Sequence, residues 1–373
     1  FEGTEQLTTG SFIAPGAVIP VGGVTNQQFC FMVPADAEFA SGNIMSRFRL
    51  SPDGGLTATG GLPTGGIPLG EVEDYKAPTA KIGNFVWWDW DNDGIQDEPA
   101  STGINGVTVQ LTWAGPDGNI ATAGDNVVFT DVTAFDNGSG ANGVYAFCGL
   151  IPGNYSISIP TPPANYVPTQ TDQGGNDFLD SDNPAGTPIV IPNPPTTLPT
   201  NENGVADNPG DNFPDNQDAL SYDFGYVAYD YGDLPNTYGT TTANNGASQL
   251  LNPNLYLGTC VDAETNGQPE PMAGLMSGGD DNNATSTLMG ACGQAADDEN
   301  GIVSFETPMI PGYQACVRVT AVNTTGQGAV LQGWIDWNGD GQFQSTEQLN
   351  TGSFAPTGAP IPNGGRSEEH TSE

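Results

Sequence analysis

The chain has 373 residues, enough for two or three domains, and carries 44 acidic against 6 basic residues, a formal net charge of −38. A surface of that sign repels polyanions, which excludes binding to nucleic acid or to an anionic membrane through the chain itself. No stretch is apolar enough to span a membrane; no Cys-x-x-Cys pair occurs and the one histidine is His370, so nothing favours a zinc site or Cys/His catalysis.

High charge alone would fit disorder, but 6 Trp, 11 Tyr and 16 Phe sit in alternating apolar runs that can build cores. The 52 Gly and 31 Pro fall between those runs, without a collagen period, and no long amphipathic helix is predicted. The charge then needs counter-ions, and divalent cations are the natural ones. No targeting segment precedes Phe1, so export is an inference rather than a reading. In an exported chain the cysteines (Cys30, Cys148, Cys260, Cys292, Cys316) can form disulfides, Cys260 with Cys292 first, and the odd count leaves one over.

In chain order, residues 1–23 come first, and they recur. Residues 343–365 match them without gaps at an offset of 342, with 15 of 23 positions identical. The chain is therefore read as one repeat of 342 residues plus an overlap, cut from a longer array. The runs QFCFMV (28–33) and SRFRL (46–50) suit half-buried strands, and GEVEDY (70–75) follows them. Glu71, Glu73 and Asp74 are expected to pair with Arg47 and Arg49 rather than to serve catalysis. Next comes IGNFVWWDWDNDGIQD (82–97), then GVYAF (143–147), LIPGNYSI (150–157) and YDFGY (222–226), with a Pro- and Asn-rich stretch at 161–219. The last third holds DYGDLPNTYG (230–239), YLG (256–258), VDAE (261–264), GDD (279–281), DDENGI (297–302), ACVRVT (315–320) and WIDWNGDG (334–341).

Two of these segments carry metal-ligand spacing. Asp336, Asn338, Asp340 and Glu347 occupy positions 1, 3, 5 and 12 of an EF-hand calcium loop, with Gly341 at the sharp turn and Gln342 where a backbone carbonyl serves. Its flanks read as strands, so the loop stands without its helices. Asp89, Asp91, Asp93 and Asp97 open a second loop in the same way around Gly94, but Ala100 fills the twelfth slot. The last ligand there is expected to be water or a residue elsewhere in the domain. Asp/Asn-Gly runs are also ordinary turns, and the regularity of both loops favours calcium over that reading. Acidic residues at 172, 177, Asp180 and Asp182, and at 262/264, 280/281 and 297–299, are weaker candidates. Glu5 aligns with Glu347 and is expected to close a loop begun by a preceding repeat.

The four motifs between 79 and 228 occur in the order found in the B-type domain of bacterial serine-aspartate repeat adhesins, which this stretch resembles. The resemblance implies a calcium-binding, immunoglobulin-like β-sandwich related to collagen-adhesin B domains. Such domains can carry an internal Lys-to-Asn isopeptide bond, for which Lys81 is the candidate donor with no acceptor assigned. The remainder resembles a GEVED domain of bacterial surface and secreted proteins, split so that 229–365 begins a module and 1–78 ends one. Residues 366–373 depart from the repeat, resemble the in-frame translation of a sequencing adapter and are set aside as an assembly artefact.

The expected fold is all-β: immunoglobulin-like β-sandwich modules in tandem, with calcium-binding loops and little helix. The expected role is non-enzymatic. It is a structural repeat of an extracellular stalk or filament at the bacterial surface, with several Ca2+ per repeat and neighbouring copies as head-to-tail partners. The alternatives are the spacer of an adhesin whose head binds a host or matrix ligand, or a glycan-binding accessory module of a secreted enzyme. The last would display Trp88, Trp90 or Trp113 on a flat platform. The four Asn-x-Ser/Thr sites at Asn137, Asn154, Asn283 and Asn323 are taken as incidental.

Overall fold

The structure is a computed structural model that describes residues 80–191 (except 177), 221–261, 301–355 and 358–364. It also describes 7, 12, 17–25, 27, 29–31, 43–52, 56, 58, 69–78, 218–219, 263–267, 269 and 289–290. The described residues are strands and turns with a few single-turn 3-10 helices.

A strand pair comes first: β1 (Asn43–Leu50) lies antiparallel to β2 (Glu71–Pro78), with Arg47 opposite Asp74. The sandwich follows. Its strands are β3 (Ala80–Ile82), β4 (Val86–Trp88), β5 (Thr108–Trp113), β6 (Val127–Val132), β7 (Phe147–Leu150), β8 (Gly153–Ser158), β9 (Tyr166–Pro168), β10 (Thr187–Ile191), β11 (Asp218–Ala219) and β12 (Phe224–Tyr231). One sheet has the order β10-β8-β5-β6. The other is built from β11-β3-β7 and from β4 and β9, which both pair with β12. Hydrogen bonds from Tyr222 to the Gly83 carbonyl and from Phe224 to the Phe85 carbonyl carry the pairing between the two parts.

Period-two alternation explains the first sheet. In β10 the residues alternate buried and exposed along all five positions, and Tyr155 and Ile157 of β8 turn inward in the same way. Val109, Leu111, Ile157 and Ile189 meet Ile82, Val86, Phe224 and Tyr226 across the core. By contrast β4 and the first five residues of β12 are buried throughout, as parallel strands covered on both faces are. Phe85, Trp87 and Ala141 form a second cluster. Gly225 is required at its place, since a Cβ there would stand 2.8 Å from the Trp87 ring and 2.6 Å from the Thr169 methyl.

Strand β12 does not stop at the expected module boundary between 228 and 229. It runs on to Tyr231 and pairs antiparallel with β13 (Ser248–Leu250). Trp88 and Ala228 from one side of that boundary share a cluster with Leu251, Val261 and Ala263 from the other. The residues on either side of 228/229 are thus joined by a strand and a small core.

Beyond it the described strands pair in twos: β14 (Leu255–Leu257) with β19 (Ala321–Asn323), β15 (Cys260–Val261) with β16 (Met289–Gly290), β17 (Ile302–Phe305) with β18 (Val317–Val319), and β20 (Ala329–Leu331) with β21 (Ala359–Ile361). Cys260 is in a disulfide, whose expected partner Cys292 lies outside the described residues.

Replacing Ile157 by Ala should cost about 2–5 kcal/mol in a denaturant melt, because its side chain is enclosed by both sheets. Val190→Ala, on the outward face of β10, should change stability by less than about 0.5 kcal/mol.

Candidate metal centre

The first loop begins where β4 ends. The Asp89 N–H donates to the Tyr226 carbonyl at 2.8 Å, which prolongs the β4–β12 pairing and leaves the Asp89 side chain fully buried. The chain then turns back through Asn92 and Gly94, both with left-handed backbone (φ 58° and 75°). That turn aims N–H groups at the carboxylate. Asn92 N donates to Asp89 Oδ1 at 2.7 Å, Gly94 N donates to Oδ2 at 2.9 Å, and the Thr169 hydroxyl donates to Oδ2. A bond from Ser181 N to the Gly94 carbonyl ties the loop to the bridge between Ile95 and Asp180.

Glu98 closes the loop. Its Oε1 accepts the Trp90 N–H at 3.0 Å, while Oε2 is buried with no hydrogen-bond partner. One carboxylate oxygen each from Asp89, Asp91 and Glu98 lies within 4.8 Å of the others. Oxygens that bind one Ca2+ at about 2.3–2.6 Å can be at most about 5 Å apart, so this spacing fits a single ion. Electrostatics agree. Burial first, then the charges of Asp89 and Asp91, push the Glu98 carboxyl up to about 8. Asp91 is raised by burial and by Asp93, Asp89 and Asp97. A divalent cation would reverse both penalties.

The second loop has the same opening. Asp336 accepts Gly339 N at 2.6 Å on Oδ1 and Gly341 N at 2.9 Å on Oδ2, and these backbone bonds lower its pKa. Asn338 Oδ1 accepts Asp340 N, and Asp340 Oδ1 accepts Gln342 N. Glu347 is 2% exposed and accepts Trp337 N at 3.1 Å, as Glu98 accepts Trp90 N. The side-chain amide of Gln344 bridges Asn338 and Asp340, and the carboxylates here do not converge as those at Asp89 do. Tyr238 of the DYGDLPNTYG motif donates to Asp336 Oδ2, and its ring packs at a tilt of 47° against Phe343, so the two motifs form one unit.

Glu98 escaped the sequence reading because it stands at the tenth loop position, not the twelfth. The signal was the shared Asp-Trp opening, whose second N–H both glutamates cap. Asp93 serves the turn, bonding Ile95 N, and Asp97 lies outside the three-carboxylate group. Asp182 is buried and accepts the Asp223 N–H at 2.9 Å, a bond between chain segments, while Asp180 sits in the bridge to Ile95. Glu264 holds Tyr231 N. Asp74 forms a two-pronged pair with Arg47 at 2.6 and 2.7 Å, the ion pair expected of the GEVED signature. Glu5, Asp177, Asp262, the acidic residues at 280/281 and 297–299, and residues 366–373 lie outside the described residues. Trp113 packs on the core, while Trp88 and Trp90 line a groove of about 450 Å³ with Tyr166 and Pro253, so they form no flat platform. Asn323 is fully buried and holds two carbonyls, which rules it out as a glycan acceptor.

Residues 80–209 match the model of the SdrD B-like domain family. Serine-aspartate repeat-containing protein D of Staphylococcus aureus (strain Newman) is 32% identical over 136 residues, 36% of this chain and 9% of that protein. Serine-aspartate repeat-containing protein F of Staphylococcus epidermidis is 36% identical over 116 residues, 31% of this chain and 6% of that one. A fibrinogen-binding protein of Staphylococcus epidermidis is 35% identical over 108 residues, 29% of this chain and 8% of that one. The chain thus spans under a tenth of the length of these curated relatives. Among solved structures, the full-length major pilin SpaD from Corynebacterium diphtheriae aligns over 42% of this chain and 36% of its own, with 16% identity and a TM-score of 0.23.

The raised Glu98 pKa sets a pH dependence. Without metal, the folded protein keeps a proton that the unfolded chain releases, so the stabilisation is full below the ordinary value of 4.5 and is lost as pH rises to about 8. Melts of chelated protein across that window should show the decline, and Glu98→Gln should flatten it; an unchanged slope in the variant would count against the assignment.

Proposed function

We propose that this chain is a structural repeat of a secreted bacterial surface stalk or filament, stiffened by Ca2+ bound at Asp89, Asp91 and Glu98 and in the Asp336–Glu347 loop. The observation that carries the calcium reading is the convergence of three carboxylates, from buried Asp89, half-buried Glu98 and exposed Asp91, beside an unpartnered Glu98 oxygen. No cation from the chain is bonded to any of the three in the described structure, and a hard divalent ion is what such an oxygen set selects. The surface role draws on the SdrD B-like match, as does the reading of the module as non-enzymatic. The strand and small core that join successive modules favour a stiff stalk over a flexible tether.

Ion and junction are mechanically linked. Asp89 and Asp91 alternate with Trp88 and Trp90, and both indoles pack at the junction with the next module. An ion that fixes the carboxylates therefore fixes the residues between them.

A second reading makes the segment a spacer in a ligand-binding adhesin. It is favoured by the likeness to a protein whose name records fibrinogen binding. Under it the binding head lies elsewhere in the array and this repeat sets its distance from the cell.

Thermal unfolding with calcium and with chelator tests the calcium reading. Calcium at one hundred times its dissociation constant should add about 2.7 kcal/mol per site. Asp89→Asn together with Glu98→Gln should remove most of that gain, and a melting temperature indifferent to chelator would sink the proposal.

A further inference from the structure

Strand β6 is the last strand of its sheet. It pairs with β5 on one side and with no strand on the other among the described residues. The pairing with β5 is unshifted over its whole length, so there is no bulge, and Val127–Val132 holds neither Pro nor Lys, the usual means of blunting a sheet edge. Val127, Val128, Phe129 and Val132 are 40%, 52%, 42% and 51% exposed. Phe129 stands opposite Leu111, which is fully buried, so the ring lies on the core face and owes its exposure to its place at the edge.

The direction of the backbone groups follows from the end of the strand. Thr133 N donates to the Val107 carbonyl, toward β5, while Ala134 exchanges hydrogen bonds with Val144 on the other side. Successive residues of a strand point their N–H and C=O groups to opposite sides, so Val127, Phe129 and Asp131 bond to β5, and Val128, Thr130 and Val132 point outward. Val132 N is taken by Asp131 Oδ1, and Val144 closes the edge beyond it. The open part is therefore Val128 and Thr130, whose outward groups have no partner among the described residues.

Charge decides what can lie there. Copies of a chain with a net charge of −38 repel each other over most of their surface. Along Val127–Val132 the one acid is half-buried Asp131, whose Oδ2 accepts the Ala146 N–H from the segment entering β7. This edge is thus apolar and nearly free of exposed charge, which lets an identical edge approach it.

We propose that β6 pairs antiparallel with β6 of a second copy about a two-fold axis at Phe129. In that register Val128 of each copy lies opposite Thr130 of the other, and their outward N–H and C=O groups bond to one another. The two Phe129 rings meet at the non-hydrogen-bonded position, where side chains approach most closely. Asp131 then faces Val127. An axis at Val128 would set Asp131 against Asp125, and one at Thr130 would set Phe129 against Asp131. The same patch serves both partners, so the contact closes on itself and joins the β10-β8-β5-β6 sheets of two copies into one. It is a lateral contact and rests neither on the calcium reading nor on head-to-tail order.

Sedimentation velocity of the full chain across a concentration series, at physiological salt, should show a monomer–dimer equilibrium. Phe129→Glu sets like charges face to face and should weaken it about tenfold or more, and Phe129→Lys should do the same. An equimolar mixture of the two variants should associate again, because Glu then faces Lys. Thr130→Pro removes an outward N–H, leaves the bonds to β5 in place and should also weaken the dimer. Near-ultraviolet circular dichroism checks that each variant keeps its sandwich core. A parent chain that stays monomeric overturns the pairing, whether the edge is idle or takes a strand of another protein. So does association that Phe129→Glu and Thr130→Pro leave unchanged, which places the contact elsewhere on the chain. A mixture no tighter than either variant alone overturns it too, since Phe129 then does not face itself.

Discussion

The pairing of β4 with β12 is the constraint on which the rest depends. These strands run parallel in the middle of the structure, and burial on both faces demands the apolar run Val86–Trp88 opposite Phe224–Tyr226. One rung further, the same ladder holds Asp89 by its N–H and buries its carboxylate at the mouth of the loop. In the other direction β12 runs past the sandwich and pairs with β13. Core, acidic loop and junction are thus three consequences of one pair of strands.

A chain with six basic residues cannot neutralise its acids by ion pairs. Two pairs among the described residues lie at the surface. Arg47 takes Asp74, and Arg318 takes Glu306, whose carboxyl falls to about 2. Exposed pairs of this kind add little to stability. The buried acids use another means: Asp89, Asp182, Asp223, Glu264 and Glu347 each accept backbone N–H groups. Such bonds satisfy a carboxylate without cancelling its charge. Where three carboxylates converge, burial first and neighbouring charge second push the Glu98 carboxyl up to about 8 and raise that of Asp91.

Much of this was legible in advance. Alternation in LIPGNYSI (150–157) marked β8, whereas β10, inside the Pro- and Asn-rich stretch at 161–219, and the double burial of the run around Trp87 were not read in advance. The regular spacing of Asp336, Asn338 and Asp340 gave the second loop's turn, and Glu347 does cap it. Glu98 was not legible, because a loop closed at its tenth position is recognised by a hydrogen bond to Trp90 N rather than by counting residues. Nor was the role of Asp182, whose partner Asp223 is forty-one residues away and meets it only through the sheet.

Residues 1–23 and 343–365 mark the division between what sequence and tertiary structure decide. The sequence by itself determined the repeat, its period, the strand pattern and the acidic turn residues, because these are set by local geometry and side-chain periodicity. It could not determine what each copy does. Residues 359–361 are a strand because β20 lies before them in the chain and supplies hydrogen-bond partners. A β-strand is completed by its neighbour, and which neighbour is at hand is a property of the tertiary structure. The same holds for the carboxylates of Asp89, Asp91 and Glu98, which become one site only because the fold brings them within a single ion's reach.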